Sequence, residues 1–214
     1  MKKTTKISIA IASLLVIGAA NAAQPGGYIG GGLGASVLRT PNYFSNYNNL
    51  PGGKTSYDRD GLAGRIFAGY NINNNFGLEA SLADYATSNS KLSSQVVNSS
   101  AKTSLYALSL VGKGYLPLAD TGLNAYALAG LAEVRATSKG ESNHLLGQTT
   151  PTNVTVHTNA LRPTYGVGVS YDLPDNVTTN LEVSRIQGEG NMKTDKHALP
   201  NADLVSLNLS YNFG

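Results

Sequence analysis

Val205-Ser206-Leu207-Asn208-Leu209-Ser210-Tyr211-Asn212-Phe213-Gly214 closes the chain, with apolar residues at 205, 207, 209, 211 and 213 and polar ones between them. A strand sends successive side chains to opposite faces, so this stretch predicts one strand with an oily and a wet face. The oily face ends in Tyr211 and Phe213, and aromatics settle at membrane–water boundaries. The pattern predicts a strand of an outer-membrane barrel.

The other end of the chain predicts the same address. Lys2, Lys3 and Lys6 precede an apolar run from Ile7 to Ala20, and Ala20-Asn21-Ala22 supplies small residues around a cleavage point. This is the pattern of a cleaved signal peptide over residues 1–22, leaving 23–214 as the barrel domain. A spanning helix needs roughly 20 apolar residues, more than this run offers. Those three lysines account for the whole net charge of +3, because no acidic residue precedes position 23. The mature chain is formally neutral and gives no reason to expect a nucleic-acid partner. Cysteine is absent, so no disulfide staples the fold. The 24 glycines and 12 tyrosines, with abundant Asn and Ser, suit many strands and turns.

Strands are predicted at residues 27–39, 60–71, 76–86, 102–116, 122–136, 158–173, 177–188 and 203–213. Short connections at 72–75, 117–121 and 174–176 alternate with long ones at 40–59, 87–101, 137–157 and 189–202. The fold class this predicts is all-β: an eight-stranded antiparallel up-and-down transmembrane β-barrel, with periplasmic turns and external loops. A soluble barrel also alternates, but keeps its oily face inside; three observations favour the reverse. Tyr70, Tyr171, Tyr211 and Phe213 share the outward register at the periplasmic end, as an aromatic girdle would. The opposite register carries Arg65, Glu79, Lys113 and Glu182 in mid-strand. An Arg or Lys facing lipid there would cost about 2–4 kcal/mol, so these charges are placed in the lumen. The faces Leu78-Ala80-Leu82, Tyr106-Leu108-Leu110 and Tyr165-Val167-Val169 are oily enough for lipid.

In the first strand this register sends Ile29, Leu33 and Val37 to lipid and Gly30, Gly32 and Gly34 inward, where a narrow barrel needs room. The glycine run has no helix after it and so does not read as a phosphate loop. In the fifth strand, hiding both Glu133 and Arg135 places Tyr126, Leu128, Gly130, Ala132 and Val134 toward lipid. The other face, Ala125-Ala127-Ala129-Leu131, is almost as apolar.

Over residues 27–214 the chain resembles the OmpA-type and opacity-type eight-stranded outer-membrane barrels. The similarity lies in the Ser-Tyr-x-Phe-Gly ending, in Gly77-Leu78-Glu79 after an Asn-rich turn, in Lys113-Gly-Tyr-Leu-Pro117, and in Leu181-Glu182. The chain departs from the pattern at Ser170 and Asn180, where the resemblance implies a luminal glutamate and arginine. Arg65 and Arg162 are then candidates to rewire the luminal ion network. Relatives with a peptidoglycan-binding domain continue past the position of Gly214, so cell-wall anchoring is not inferred from the resemblance. The resemblance implies a bacterial outer-membrane location, contact with lipid and lipopolysaccharide, and recognition of the C-terminal strand by the assembly machinery. It also implies a monomer, and surface loops that adhere to host cells or matrix, resist complement or serve phages.

The luminal charges read either as a structural plug or as a gate for a small low-conductance pore; eight strands leave little space beyond side chains, which favours the plug. His144, His157 and His197 show no ligand spacing on one element, so neither a metal nor a cofactor is expected. A lipid-modifying enzyme is a third class, but no local Ser–His constellation names a nucleophile and base. Function is therefore expected in the loops, with Tyr43, Phe44 and Tyr47 as the most contact-prone patch. The reading is a surface protein whose loops mediate adhesion.

Overall fold

The computed structural model describes residues 25–41, 44, 52–95, 97–118, 122–144, 152–190 and 198–213. The predicted signal segment lies outside them. Nine strands follow in order: β1 Gly26–Leu38, β2 Lys54–Asp58, β3 Asp60–Asn71, β4 Phe76–Ser93, β5 Val97–Pro117, β6 Leu123–His144, β7 Thr152–Leu173, β8 Val177–Ile186 and β9 Ala202–Asn212. All pairings are antiparallel, and eight strands close a ring in which β1 pairs with both β3 and β9 while β4 pairs with β5. The short β2 lies outside the ring, against the far end of β4.

The ring turns its oily side outward. Leu33 is 75% exposed and Leu207 62%, and Ile29, Leu78, Leu82, Leu108, Leu110, Val167 and Leu209 share that surface. Gly30, Gly32 and Gly34 of β1 line the inside because the lumen has no room there: a Cβ on Gly32 would overlap the Asn208 side chain. At the short-turn end, Asn73 Oδ1 accepts the backbone N–H groups of Asn75 and Phe76, both at 2.8 Å, and so closes the β3–β4 turn. The β7–β8 turn holds Asp175 and Asn176 at φ 62° and 61°, a left-handed conformation that their short polar side chains tolerate.

Four expectations are corrected. The connection expected at 87–101 is mostly strand, since β4 runs to Ser93 and β5 starts at Val97. That expected at 137–157 shrinks likewise, as β6 runs to His144 and β7 starts at Thr152. Beyond the lipid both faces of a strand meet water, so alternation fades while the ladder continues, held by pairs such as Ser99–Ser142 and Thr103–Ser138. A bulge between Tyr85 and Ser88 shifts β4 by one residue, so Ser88, Ser90 and Leu92 take over the buried face. The first long connection also contains a strand, β2.

The fourth correction is the register of β6. Tyr126, Leu128, Ala132 and Val134 are buried inside, and Leu131, Glu133 and Arg135 face outward. The assumption that both charges must hide fails because they stand toward the long-loop end, where Arg135 Nη2 pairs with Glu133 at 3.0 Å. Leu38, Tyr85, Leu105, Val134, Ile186 and Leu204 then form an apolar layer across the outer half of the lumen.

Candidate functional site

Below that layer lies a cluster of four ionised side chains, each delivered by a different strand. Glu79 on β4 is 1% exposed and Glu182 on β8 2%. Arg65 on β3 bridges them, with Nη2 2.5 Å from Glu79 Oε1 and Nη1 bonded to Glu182 Oε1. Lys113 on β5 places Nζ 2.5 Å from Glu79 Oε2 and 3.9 Å from Glu182 Oε2. It also lies 4.8 Å from the Tyr126 ring centroid. Two cations and two anions cancel, and each carboxylate receives more than one donor, the condition under which buried charge is tolerated.

Two tyrosines complete the cluster, and sequence reading missed their role. Tyr28 donates to Glu79 Oε2 at 3.1 Å, and Tyr126 to Glu182 Oε2 at 3.1 Å. Each ring lies across a glycine of the next strand. Tyr28 pairs with Gly69, which pairs with Glu79; Tyr126 pairs with Gly168, which pairs with Glu182. The same Tyr-Gly-Glu triplet therefore occurs on opposite sides of the barrel. The available signal was the inward parity of Gly69 and Gly168. A Cβ at Gly69 would overlap the Tyr28 ring and stand 2.7 Å from the Leu78 carbonyl. Gly69→Ala is expected to push the tyrosine off Glu79 and cost about 1–3 kcal/mol, read from urea unfolding of the refolded barrel in detergent. A change within 0.5 kcal/mol, the usual range of a surface substitution, would remove the glycine's role.

The departures at Ser170 and Asn180 are inward and buried. Asn180 Oδ1 accepts from Tyr126 at 3.1 Å and from Asn208 Nδ2 at 2.7 Å, so a neutral amide stands where the resemblance implied an arginine, and a hydroxyl where it implied a glutamate. Arg162 has inward parity but is not brought to the four-charge cluster. It sits at the outer mouth, bonded to Glu189 and to the carbonyls of Gln187 and Gly188. Two small voids flank the ions, about 30 Å³ on the short-turn side and about 20 Å³ beside Arg65 and Glu79.

Tyr70, Tyr211 and Phe213 are exposed at the short-turn end, with Tyr211 and Phe213 edge to face at 5.4 Å; Tyr171 is half-buried on the same surface. Phe76, which sequence reading did not single out, joins them. At the opposite edge of the oily band, Asp203 holds Arg39 at 2.7 Å and Arg185 at 2.5 Å. Of the loop candidates, Phe44 is half-buried, while Tyr43 and Tyr47 lie outside the described residues. His157 Nδ1 bonds Thr137 at 3.1 Å; His197 lies outside the described residues. Among the described residues no group of three His, Asp or Glu converges as a metal site.

The sequence matches the family described as "Outer membrane protein beta-barrel domain" over residues 7–213. It is 30% identical over 171 residues to an uncharacterized protein of Coxiella burnetii, covering 72% of this chain and 68% of that protein. It is 28% identical over 217 residues to outer membrane protein A of Serratia marcescens, covering 100% of this chain but only 57% of the relative. Among solved structures, Neisserial surface protein A is similar with a TM-score of 0.51 at 17% identity, over 92% of this chain and 99% of that one. With its oily exterior and ionic interior, the chain belongs to the outer-membrane β-barrel family and resides in the bacterial outer membrane.

Proposed function

We propose that this barrel is a membrane-seated base for an adhesive surface. The observation that carries the reading is the unequal height of the wall. β1 ends at Leu38, β8 at Ile186 and β9 begins at Ala202, whereas β4, β5, β6 and β7 run on to Ser93, Val97, His144 and Thr152. Together with β2 they form a five-stranded sheet beyond the lipid band, rich in Ser, Thr and Asn. A structural barrel needs no such projection, and a polar sheet on rigid strands presents a precise contact surface. The test excises the β6–β7 tip from Lys139 to Thr155 and joins the ends with Asn-Gly. The variant is expected to keep its heat-dependent shift in gel mobility and lose at least tenfold in attachment of expressing bacteria to epithelial cells and immobilised matrix. Undiminished attachment would overturn the reading.

A pore is the weaker alternative. The apolar layer above the ions opposes wetting, and hydrophobic constrictions stop ions by remaining dry. Planar bilayers holding the refolded protein are expected to stay at baseline at neutral pH. Unitary steps that change in Lys113→Ala would instead establish a gated path.

A further inference from the structure

Among the described residues the projecting sheet has two open edges, and they differ in kind. One is β2, five residues long and carrying Lys54 and Asp58, the usual protection against stray pairing. The other is the outer half of β7. β6 pairs with β7 from Thr152 to Tyr171, whereas β8 pairs with it only from Thr164 to Leu173. Among the described residues, no strand pairs the second edge of β7 from Thr152 to Leu161. That stretch, Thr152-Asn-Val-Thr-Val-His-Thr-Asn-Ala-Leu161, has no Lys, Arg, Asp or Glu, no proline and no bulge. Among the described residues it is an unguarded edge, the kind that templates another strand.

The direction of its free groups is fixed. The Gln187 N–H donates to the Pro163 carbonyl across the β7–β8 ladder at 2.9 Å. A residue's N–H and C=O leave the strand on the same side, so Leu161, Asn159, His157, Thr155 and Asn153 also turn theirs to the open edge. Asn153 and Asn159 stand symmetrically about Val156, with the β-branched Val154 and Thr158 at matching distances and Thr155 opposite His157. Antiparallel pairing about that point sets Asn153 against Asn159, Val154 against Thr158, Thr155 against His157, and Val156 against itself. Residues with free backbone groups meet residues with free backbone groups, and no like charges oppose one another.

We infer that the edge of β7 from Asn153 to Asn159 is a self-pairing site, which takes the same edge of a second copy, antiparallel, about a two-fold axis through Val156. This rests on the projecting sheet being the adhesive element and names its partner. Orientation follows from topology. Copies in one membrane all run β7 in the same direction, so an antiparallel pair joins barrels in two facing membranes. One such contact is short, and an isolated strand pair is marginal in water. Many contacts between apposed membranes reinforce one another. The protein is thus monomeric in detergent and clusters membranes.

The test uses the full barrel refolded into phosphatidylcholine vesicles, with protease accessibility confirming that the sheet faces outward. Donor- and acceptor-labelled vesicles are expected to cluster only when both populations carry protein. Thr155→Lys, at an exposed position, is expected to reduce clustering at least tenfold while leaving heat-dependent mobility unchanged. Mixing Thr155→Lys vesicles with Thr155→Glu vesicles is expected to restore it. Val156→Cys, in a chain without cysteine, is expected to form a disulfide dimer in clustered vesicles and none in detergent when the same mild two-electron thiol oxidant is added to both, since a non-hydrogen-bonded antiparallel pair brings Cα atoms to about 4.5 Å. Absence of clustering, clustering with empty vesicles, indifference to Thr155→Lys, failure of the mixture to recover, or absence of the disulfide would each overturn self-pairing. If any of these occurs while excision of Lys139 to Thr155 still abolishes attachment to cells and matrix, the adhesive reading stands without self-pairing.

Discussion

Glu79→Ala is expected to destabilise the barrel by about 3–5 kcal/mol, because it strands two buried cations with one remaining carboxylate. Glu79 is where the cluster converges: Arg65, Lys113 and Tyr28 all bond its two oxygens. Its loss leaves Arg65 and Lys113 sharing Glu182, from which Lys113 Nζ already stands 3.9 Å away. Glu79→Ala combined with Lys113→Ala should recover part of the loss, since the Arg65–Glu182 pair then remains neutral. That non-additivity separates charge compensation from lost packing. Urea titration in detergent micelles, followed by tyrosine fluorescence and by gel mobility without boiling, would measure both variants. A single-mutant cost below about 1 kcal/mol would contradict the account, since removing one member of a buried pair normally costs several times more.

Leu207→Arg is the second large effect, and its sign is diagnostic. Leu207 lies in mid-strand on the outer surface, opposite Leu33 on β1 and Leu181 on β8. In a water-soluble protein, replacing a 62%-exposed leucine by arginine would be close to neutral. In a bilayer it should cost about 2–4 kcal/mol near the midplane. Leu62→Arg supplies the depth control. Leu62 is 88% exposed but lies two residues from Asp60, toward the long-loop edge, where the cost should fall to about 0–1 kcal/mol. Equal stability of both variants in phospholipid vesicles would contradict lipid contact at Leu207.

Alternation made most of the wall legible, because a strand between lipid and a polar lumen must show it. The fold class and the outward faces of β1, β3, β4 and β9 follow from that rule. β6 defeated it for a local reason: Ala125, Ala127 and Ala129 are as compatible with lipid as Tyr126 and Leu128. The choice then fell to Glu133 and Arg135, whose depth no periodicity reveals. The strands beyond Ala86 and Ala136 were invisible because water on both faces imposes no pattern. Parity placed Arg65, Glu79, Lys113 and Glu182 on one face, but partners depend on height around the ring. Arg162 shares their parity and finds Glu189 at the mouth instead. The Tyr28–Gly69 and Tyr126–Gly168 contacts needed cross-strand register, which pairs residues 41 and 42 positions apart in the chain.

Both cations of the luminal cluster, Arg65 and Lys113, come from the first four strands of the ring, while Glu182 comes from the last four. An incompletely zipped barrel would leave that glutamate without its counterions, even with its tyrosine in place. Sealing the β1–β9 seam and neutralising Glu182 are therefore one event, which makes the cylinder's closure all-or-none and penalises any half-shut intermediate.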